Sequence, residues 1–211
     1  MVSGKKTRIH GASADFSEER FVDTLEMRLS EIVVTTHPTS VSVLRDRLME
    51  SFHEFNISVD TGAMQICMAL EEALANAFYH GTLELDSKLK EDGTNQFMDM
   101  ARERCQLSPW KERRICVTEL ATPYGLWITI ADEGDGFDVT GAVRRTEDPI
   151  NMLASGRGLV MMRAFTDDLL FNEKGNEVTL VIYSNRNQDV TELLQERARS
   201  YNIDTGRKSL I

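Results

Sequence analysis

The chain has 211 residues, 41% hydrophobic and 27% charged, with a formal net charge of -10 at pH 7. This length favours one domain with appendages, and the apolar share is enough for a real core. The negative balance lacks the basic footprint that nucleic-acid binding requires and disfavours an anionic membrane surface, so neither is an expected partner.

Taken in chain order, residues 1–17 are polar and read as a mobile tail. Phe21, Leu25 and Leu29 recur every four residues and predict a short helix over 18–30. The β-branched run EIVVTT at 31–36 predicts a strand, which Pro38 ends. Val41, Leu44, Leu48, Phe52 and Phe55 form one stripe, so 41–55 reads as an amphipathic helix with Ser40 as its N-cap. A second helix starts near Asp60 and Thr61, carries Ala63, Ile66, Cys67, Leu70, Leu74 and Ala77 on its apolar side, and stops at Gly81. Residues 82–114 are charged and mixed. They read as an insertion, with a helix over 96–104.

The period then changes. Residues 114–122 and 126–131 predict two strands around a turn at 123–125. An Asp- and Gly-rich loop follows at 132–136, then 139–155 without clear periodicity, then a helix over 158–166. A second hairpin joins 169–172 to 177–183 around Lys174 and Gly175, and 191–200 predicts a terminal helix. One strand, two helices and a run of strands broken by one helix predict an α+β fold. The expected form is a two-layer sandwich, with a mixed, mainly antiparallel sheet and helices on one face. Residues 31–185 form the expected core domain, 1–30 a partly flexible extension and 186–211 a tail.

Cys67, Cys105 and Cys116 lie far apart, and His10, His37, His53 and His80 lack metal-ligand spacing. A disulfide framework or zinc site is therefore not expected. No apolar run follows the basic N-terminus, which suits a cytoplasmic protein without a signal peptide or spanning helix.

Three segments carry chemistry. Glu72 and Asn76 are four apart and share one helix face, with His80 continuing the line. A solvated polar face would look the same. However, Asn is a mediocre helix former, and an amide oxygen beside a carboxylate suits a hydrated Mg2+ and a proton acceptor. Asp132-Glu133-Gly134-Asp135-Gly136 follows a strand directly. Its glycines allow close backbone approach or positive φ, and a carboxylate there can accept from an exocyclic amine. A plain turn fits too. A calcium loop does not, because Val143 stands at the twelfth position and a strand precedes the loop. Gly156-Arg157-Gly158 opens a helix, where free N–H groups and the helix dipole meet anions and Arg157 adds charge. It is neither a Walker A loop nor a Rossmann fingerprint. His80 is read as a local hydrogen bond at the helix end, Met161, Met162 and Phe165 as core, and Trp127 as a sheet residue.

In this order the three segments resemble the Bergerat-type ATP-binding fold of the GHKL superfamily. Glu72 and Asn76 are similar to its N box, Asp132 to Gly136 to its G1 box, and Gly156 to Gly158 to its G2 box. The run from Glu71 to Gly81, E-E-A-x-x-N-A-x-x-H-G, and the closing GNEVTL resemble bacterial anti-sigma-factor serine kinases. The resemblance implies ATP and Mg2+ as cofactors. Glu72 would be the general base and Asn76 the magnesium ligand. Asp132 would meet the adenine amine, with Gly134 and Gly136 shaping the pocket. Residues 139–155 would be the ATP lid, and Gly156, Arg157 and Gly158 would hold phosphates. It further implies a serine/threonine protein kinase that phosphorylates a STAS-type anti-anti-sigma protein in transcription regulation. The alternative is a non-catalytic, ATP-dependent module that sequesters a sigma factor or another partner. Relatives of this type often form homodimers. Residues 1–30 and 82–114 are additions to the compact pattern, and Asn176 stands where relatives often carry Thr.

Overall fold

A computed structural model describes residues 2–10, 24–57, 59–90, 95–146, 157–185 and 208–209. The strands are β1 (Val2–His10), β2 (Thr24–Thr35), β3 (Arg114–Thr122), β4 (Gly125–Asp132), β5 (Asp168–Phe171), β6 (Glu177–Tyr183) and β7 (Lys208–Ser209). They form one sheet in the order β1-β2-β3-β4-β6-β5-β7. Every pairing among the described residues is antiparallel, so the mixed sheet expected from sequence is antiparallel throughout. The helices are α1 (Ser40–Glu54), α2 (Ala63–Ala75), α3 (Gln96–Arg104), α4 (Val139–Thr146) and α5 (Arg157–Phe165). The α+β sandwich expected from the pattern is the one observed.

Strand alternation sets the core. Ile115, Val117, Ile128, Ile130, Val178, Leu180 and Ile182 share the face that meets Leu44 and Leu48 of α1 and Ile66, Leu70 and Leu74 of α2. A smaller cluster of Leu170, Val181 and Tyr183, with Trp127 against it, occupies the other face. Trp127 is thus the sheet residue that its place in the β4 run predicts.

The N-terminal part departs from the sequence reading. Residues 24–30 belong to strand β2, not to a helix. A four-residue recurrence satisfies a period of two as well as one of 3.6, and here alternation wins. Arg28, Ser30 and Ile32 point inward, while Leu29 and Val33 are exposed. Arg28 is buried among Ser51 and Glu54 of α1, with its Nε 3.5 Å from Glu119 on β3. In this β2–β3 register Arg28 lies diagonally across from Glu119, on the same face. Residues 2–10, expected as tail, pair with β2 along their length. That pairing is a backbone ladder, which leaves no apolar signature in the sequence.

Two helix ends also differ. Thr39, not Ser40, occupies the N-cap of α1, and Ser40 Oγ donates to the Thr35 carbonyl at 3.1 Å. Gly81 does not end the second helix, which passes at Asn76 into a π-helical segment, Asn76–Thr82. The Leu83 N–H reaches back five residues to the Phe78 carbonyl at 2.9 Å. The 96–104 helix is observed as α3. The predicted terminal helix at 191–200 lies outside the described residues. Part of the predicted lid, 139–146, is α4; residues 147–155 lie outside the description. Among the described residues no helix is long and apolar enough to cross a membrane.

Leu74 is fully buried between α2 and the sheet, in the turn that carries Glu72 and Asn76. Leu74→Ala is expected to cost about 3 kcal/mol in urea unfolding.

Candidate functional site

A cavity of about 1050 Å³ opens between α2 with its π segment, the end of β4, the start of α5 and the β5–β6 edge. Glu72, Asn76, Asp132, Gly136, Arg157 and Gly158 all line it. Residues separated by 86 positions in sequence, from Glu72 to Gly158, therefore share one space. Gly134 lies beneath this surface. Gly156 lies outside the described residues.

One wall is helical. Glu72, Asn76 and His80 follow one another at intervals of four and all face the cavity. Asn76 stands where α-helical geometry gives way to the wider π turn, a distortion often found at functional sites. His80 Nδ1 lies 2.6 Å from the Leu85 carbonyl. A carbonyl only accepts, so Nδ1 carries the proton in this bond. The local hydrogen bond expected of His80 is present, and the same ring also lines the cavity. The start of α5 rests directly on Glu72: a Cβ at Gly158 would overlap the Glu72 carboxylate. Glycine at 158 thus allows the first turn of α5, with its unpaired N–H groups, to approach an acidic side chain.

The other end is built around Asp132. Its Oδ1 accepts the Gly134 N–H at 2.8 Å. Its backbone is clamped by Asn176, whose carbonyl accepts the Asp132 N–H at 3.0 Å and whose Nδ2 donates to the Asp132 carbonyl at 2.8 Å. Gly81 lies so close that a Cβ there would overlap the Asp132 carboxylate, and one at Gly134 would overlap the Gly81 carbonyl. The loop is locked to the β5–β6 turn by Lys174 Nζ, 2.8 Å from the Gly134 carbonyl, and by the Phe137 N–H, 3.1 Å from the Lys174 carbonyl. Gly136 and Gly175 both adopt φ of +77°, which only glycine takes without strain. Burial pushes the Asp132 carboxyl up to about 6, while the Gly134 N–H, Lys174 and Arg113 pull against that rise.

Asn176, Gly81 and Gly175 also line the cavity, although none was among the expected site residues. Gly81 was legible only as a helix stop and Gly175 as a turn residue. The Asn176 amide is used within the fold, on the Asp132 carbonyl and on Asn172 Nδ2 at 2.9 Å.

This space suits an adenine nucleotide. It has a half-buried acceptor at one end, a glycine-opened helix start at the other, and the volume of a small-molecule site. The Asn76 amide oxygen is a hard donor of the kind magnesium takes when phosphates complete its shell. Among the described residues no group of three or more His, Cys, Asp or Glu could hold a metal alone. Asn76 would supply one oxygen to a metal whose remaining shell the nucleotide and water complete.

A family model described as histidine kinase-like ATPase domain matches residues 34–182, and the chain belongs to that family. Its α+β antiparallel architecture is consistent with the Bergerat fold, and membership implies ATP binding. A search of curated proteins finds no match to the chain.

The raised Asp132 value has a consequence for stability. The ligand-free fold resists ionisation of this carboxyl, so its contribution to stability falls as pH rises from about 4, the unfolded value, to about 6. Asp132→Asn is expected to remove this component of the pH dependence. Thermal unfolding at pH 5 and pH 8, without nucleotide, measures it: the variant should gain stability relative to wild type at pH 8 and less at pH 5.

Proposed function

We propose that this protein is an ATP-dependent serine/threonine protein kinase of the anti-sigma regulatory type, acting on a STAS-type anti-anti-sigma protein. The observation that carries this reading is Glu72. Its carboxylate lines the cavity one helical turn from Asn76 and against the first turn of α5. A carboxylate at that place can take a proton from a hydroxyl brought to the phosphates.

Each residue then has a task. Asp132 accepts a hydrogen bond from the adenine amine, while Gly134 and Gly136 keep the loop close to the base. Gly156, Arg157 and Gly158 offer N–H groups and a guanidinium to the phosphates. Asn76 holds magnesium, which would neutralise phosphate charge when bound. Glu72 takes the proton from the acceptor hydroxyl as its oxygen bonds to the γ-phosphorus and the bond to the β-phosphate oxygen breaks, leaving ADP. Most of the rate comes from positioning and charge, so the rigid placement of Glu72 and Asn76 on one helix is the main protein contribution. A cytoplasmic setting, a sigma factor as second partner and a homodimer belong to the same proposal.

Incubation with γ-labelled ATP, Mg2+ and a cognate STAS protein tests it. Label on the partner is expected from wild type. Glu72→Gln is expected to lower the transfer rate by about 100-fold or more while leaving ATP affinity within a few-fold. Tight ATP binding with no transfer to any cognate partner would instead establish an ATP-dependent capture module. Gly158→Ala probes the same point indirectly. The added methyl improves helix propensity by up to about 1 kcal/mol, yet it must displace the Glu72 carboxylate. Transfer should fall although the thermal midpoint does not.

A further inference from the structure

Residues 82–114 run from the last residue of the π segment to the first of β3. Their described part is tied to the cavity by a charged and aromatic cluster. Glu84 takes φ of +54°, a left-handed conformation costly for a side chain of this size. Its carboxylate accepts from Trp110 Nε1 at 3.0 Å and from Arg113 Nη2 at 2.7 Å. These donors hold the Glu84 carboxyl below its ordinary value. Arg104 donates to the Glu84 carbonyl at 2.8 Å and lies over the Trp110 ring at 4.5 Å. Arg113 is the link inward: its second nitrogen, Nη1, donates to the Thr82 carbonyl at 3.0 Å. Thr82 follows Gly81, the residue whose missing side chain makes room for the Asp132 carboxylate. Thr36 Oγ1 fixes the same corner through the Trp110 and Arg113 carbonyls, at 2.7 and 3.1 Å.

We propose that Glu84, Trp110 and Arg113 form a clamp that holds the Gly81–Thr82 end of the π segment against Asp132. Glu84 and Arg113 are then positioning residues for nucleotide binding. The proposal rests on the assignment of the cavity to ATP. The 82–114 segment becomes a wall support of the pocket, and anything that engages its surface is coupled to nucleotide affinity. By linkage the reverse holds as well: nucleotide binding must alter the clamp. The charged groups facing Asp132 are Arg113 on β3's lead-in and Lys174 on the β5–β6 turn, while His80, Glu72 and Glu177 line the same cavity. Of these, Arg113 alone belongs to the 82–114 segment.

Isothermal titration of ATP with Mg2+ across pH 5 to 8, on the full chain, tests the clamp. Arg113→Met is expected to weaken ATP roughly ten-fold, the scale of one lost charge-assisted hydrogen bond. It should also move the pH midpoint of ATP affinity upward, because Asp132 loses a nearby cation; loss of packing alone would not move that midpoint. Arg113→Lys keeps the charge without the fork, so it should restore the midpoint but not the full affinity. In a Trp127→Phe background, Trp110 emission should change on ATP addition. A folded Arg113→Met with wild-type affinity and midpoint overturns the proposal. Should that variant not fold, Glu84→Gln decides: an ATP affinity equal to wild type, with no Trp110 response, overturns it equally. If wild type itself binds no ATP, or Asp132→Asn and Asn76→Ala bind it unchanged, the ATP assignment fails rather than the clamp.

Discussion

A half-buried carboxylate held against a bare glycine is the constraint on which the rest of the site depends. Asp132 ends β4 half-buried at the cavity, where partial burial penalises its charge. It is tolerated because the Gly134 N–H satisfies one oxygen, Asn176 clamps its backbone, and Gly81 offers no side chain to push it away. Each of these conditions fixes a different part of the chain. Gly81 must lie at the end of the helical wall, Gly134 in the loop after β4, and Asn176 at the entrance to β6. Satisfying one acidic group therefore brings three distant segments to one place, with Asp132 facing the cavity.

The helical wall obeys a second constraint. An α-helix continued past Asn76 would keep four-residue hydrogen bonds, whereas this chain takes a wider turn that ends with Leu83 reaching back to Phe78. The line of Glu72, Asn76 and His80 stays on the cavity side through that change. Aromatic contacts support it from behind: Phe78 meets Tyr79 edge-on, and Tyr79 and His80 both pack near Phe97 of α3. The 82–114 segment thus contributes core side chains, Leu83, Leu85, Phe97 and Ala101 among them, as well as charged contacts. It is part of the architecture around the pocket.

The sheet supplies rigidity at the opposite end. The Arg28–Glu119 pair lies inside, among apolar neighbours, with Ser51 and Glu54 sharing the guanidinium. An ion pair in that setting adds little net stability but strongly disfavours any register that separates its members. A one-residue slip of β2 would turn Arg28 outward and leave Glu119 buried without a cation. The strand that carries this arginine begins in a region whose side-chain spacing suggested a helix.

The sequence by itself determined the fold class, most element positions and the grouping of Glu72, Asn76, Asp132, Gly136, Arg157 and Gly158. These are legible because helix phase, strand alternation and glycine chemistry act over a few residues, and because the order of the three segments is specific. What only the tertiary structure decided has a different origin. Residues 24–30 are strand because a spacing of four fits both periods and long-range pairing with β1 and β3 takes up one of them. Residues 2–10 joined the sheet through backbone hydrogen bonds, which side chains do not announce. Gly81 reads as a helix stop from its neighbours, yet its role is the absence of an atom opposite Asp132, 51 positions away. Asn176, Lys174 and the Glu84–Arg113 link likewise act across the fold, where sequence spacing carries no distance.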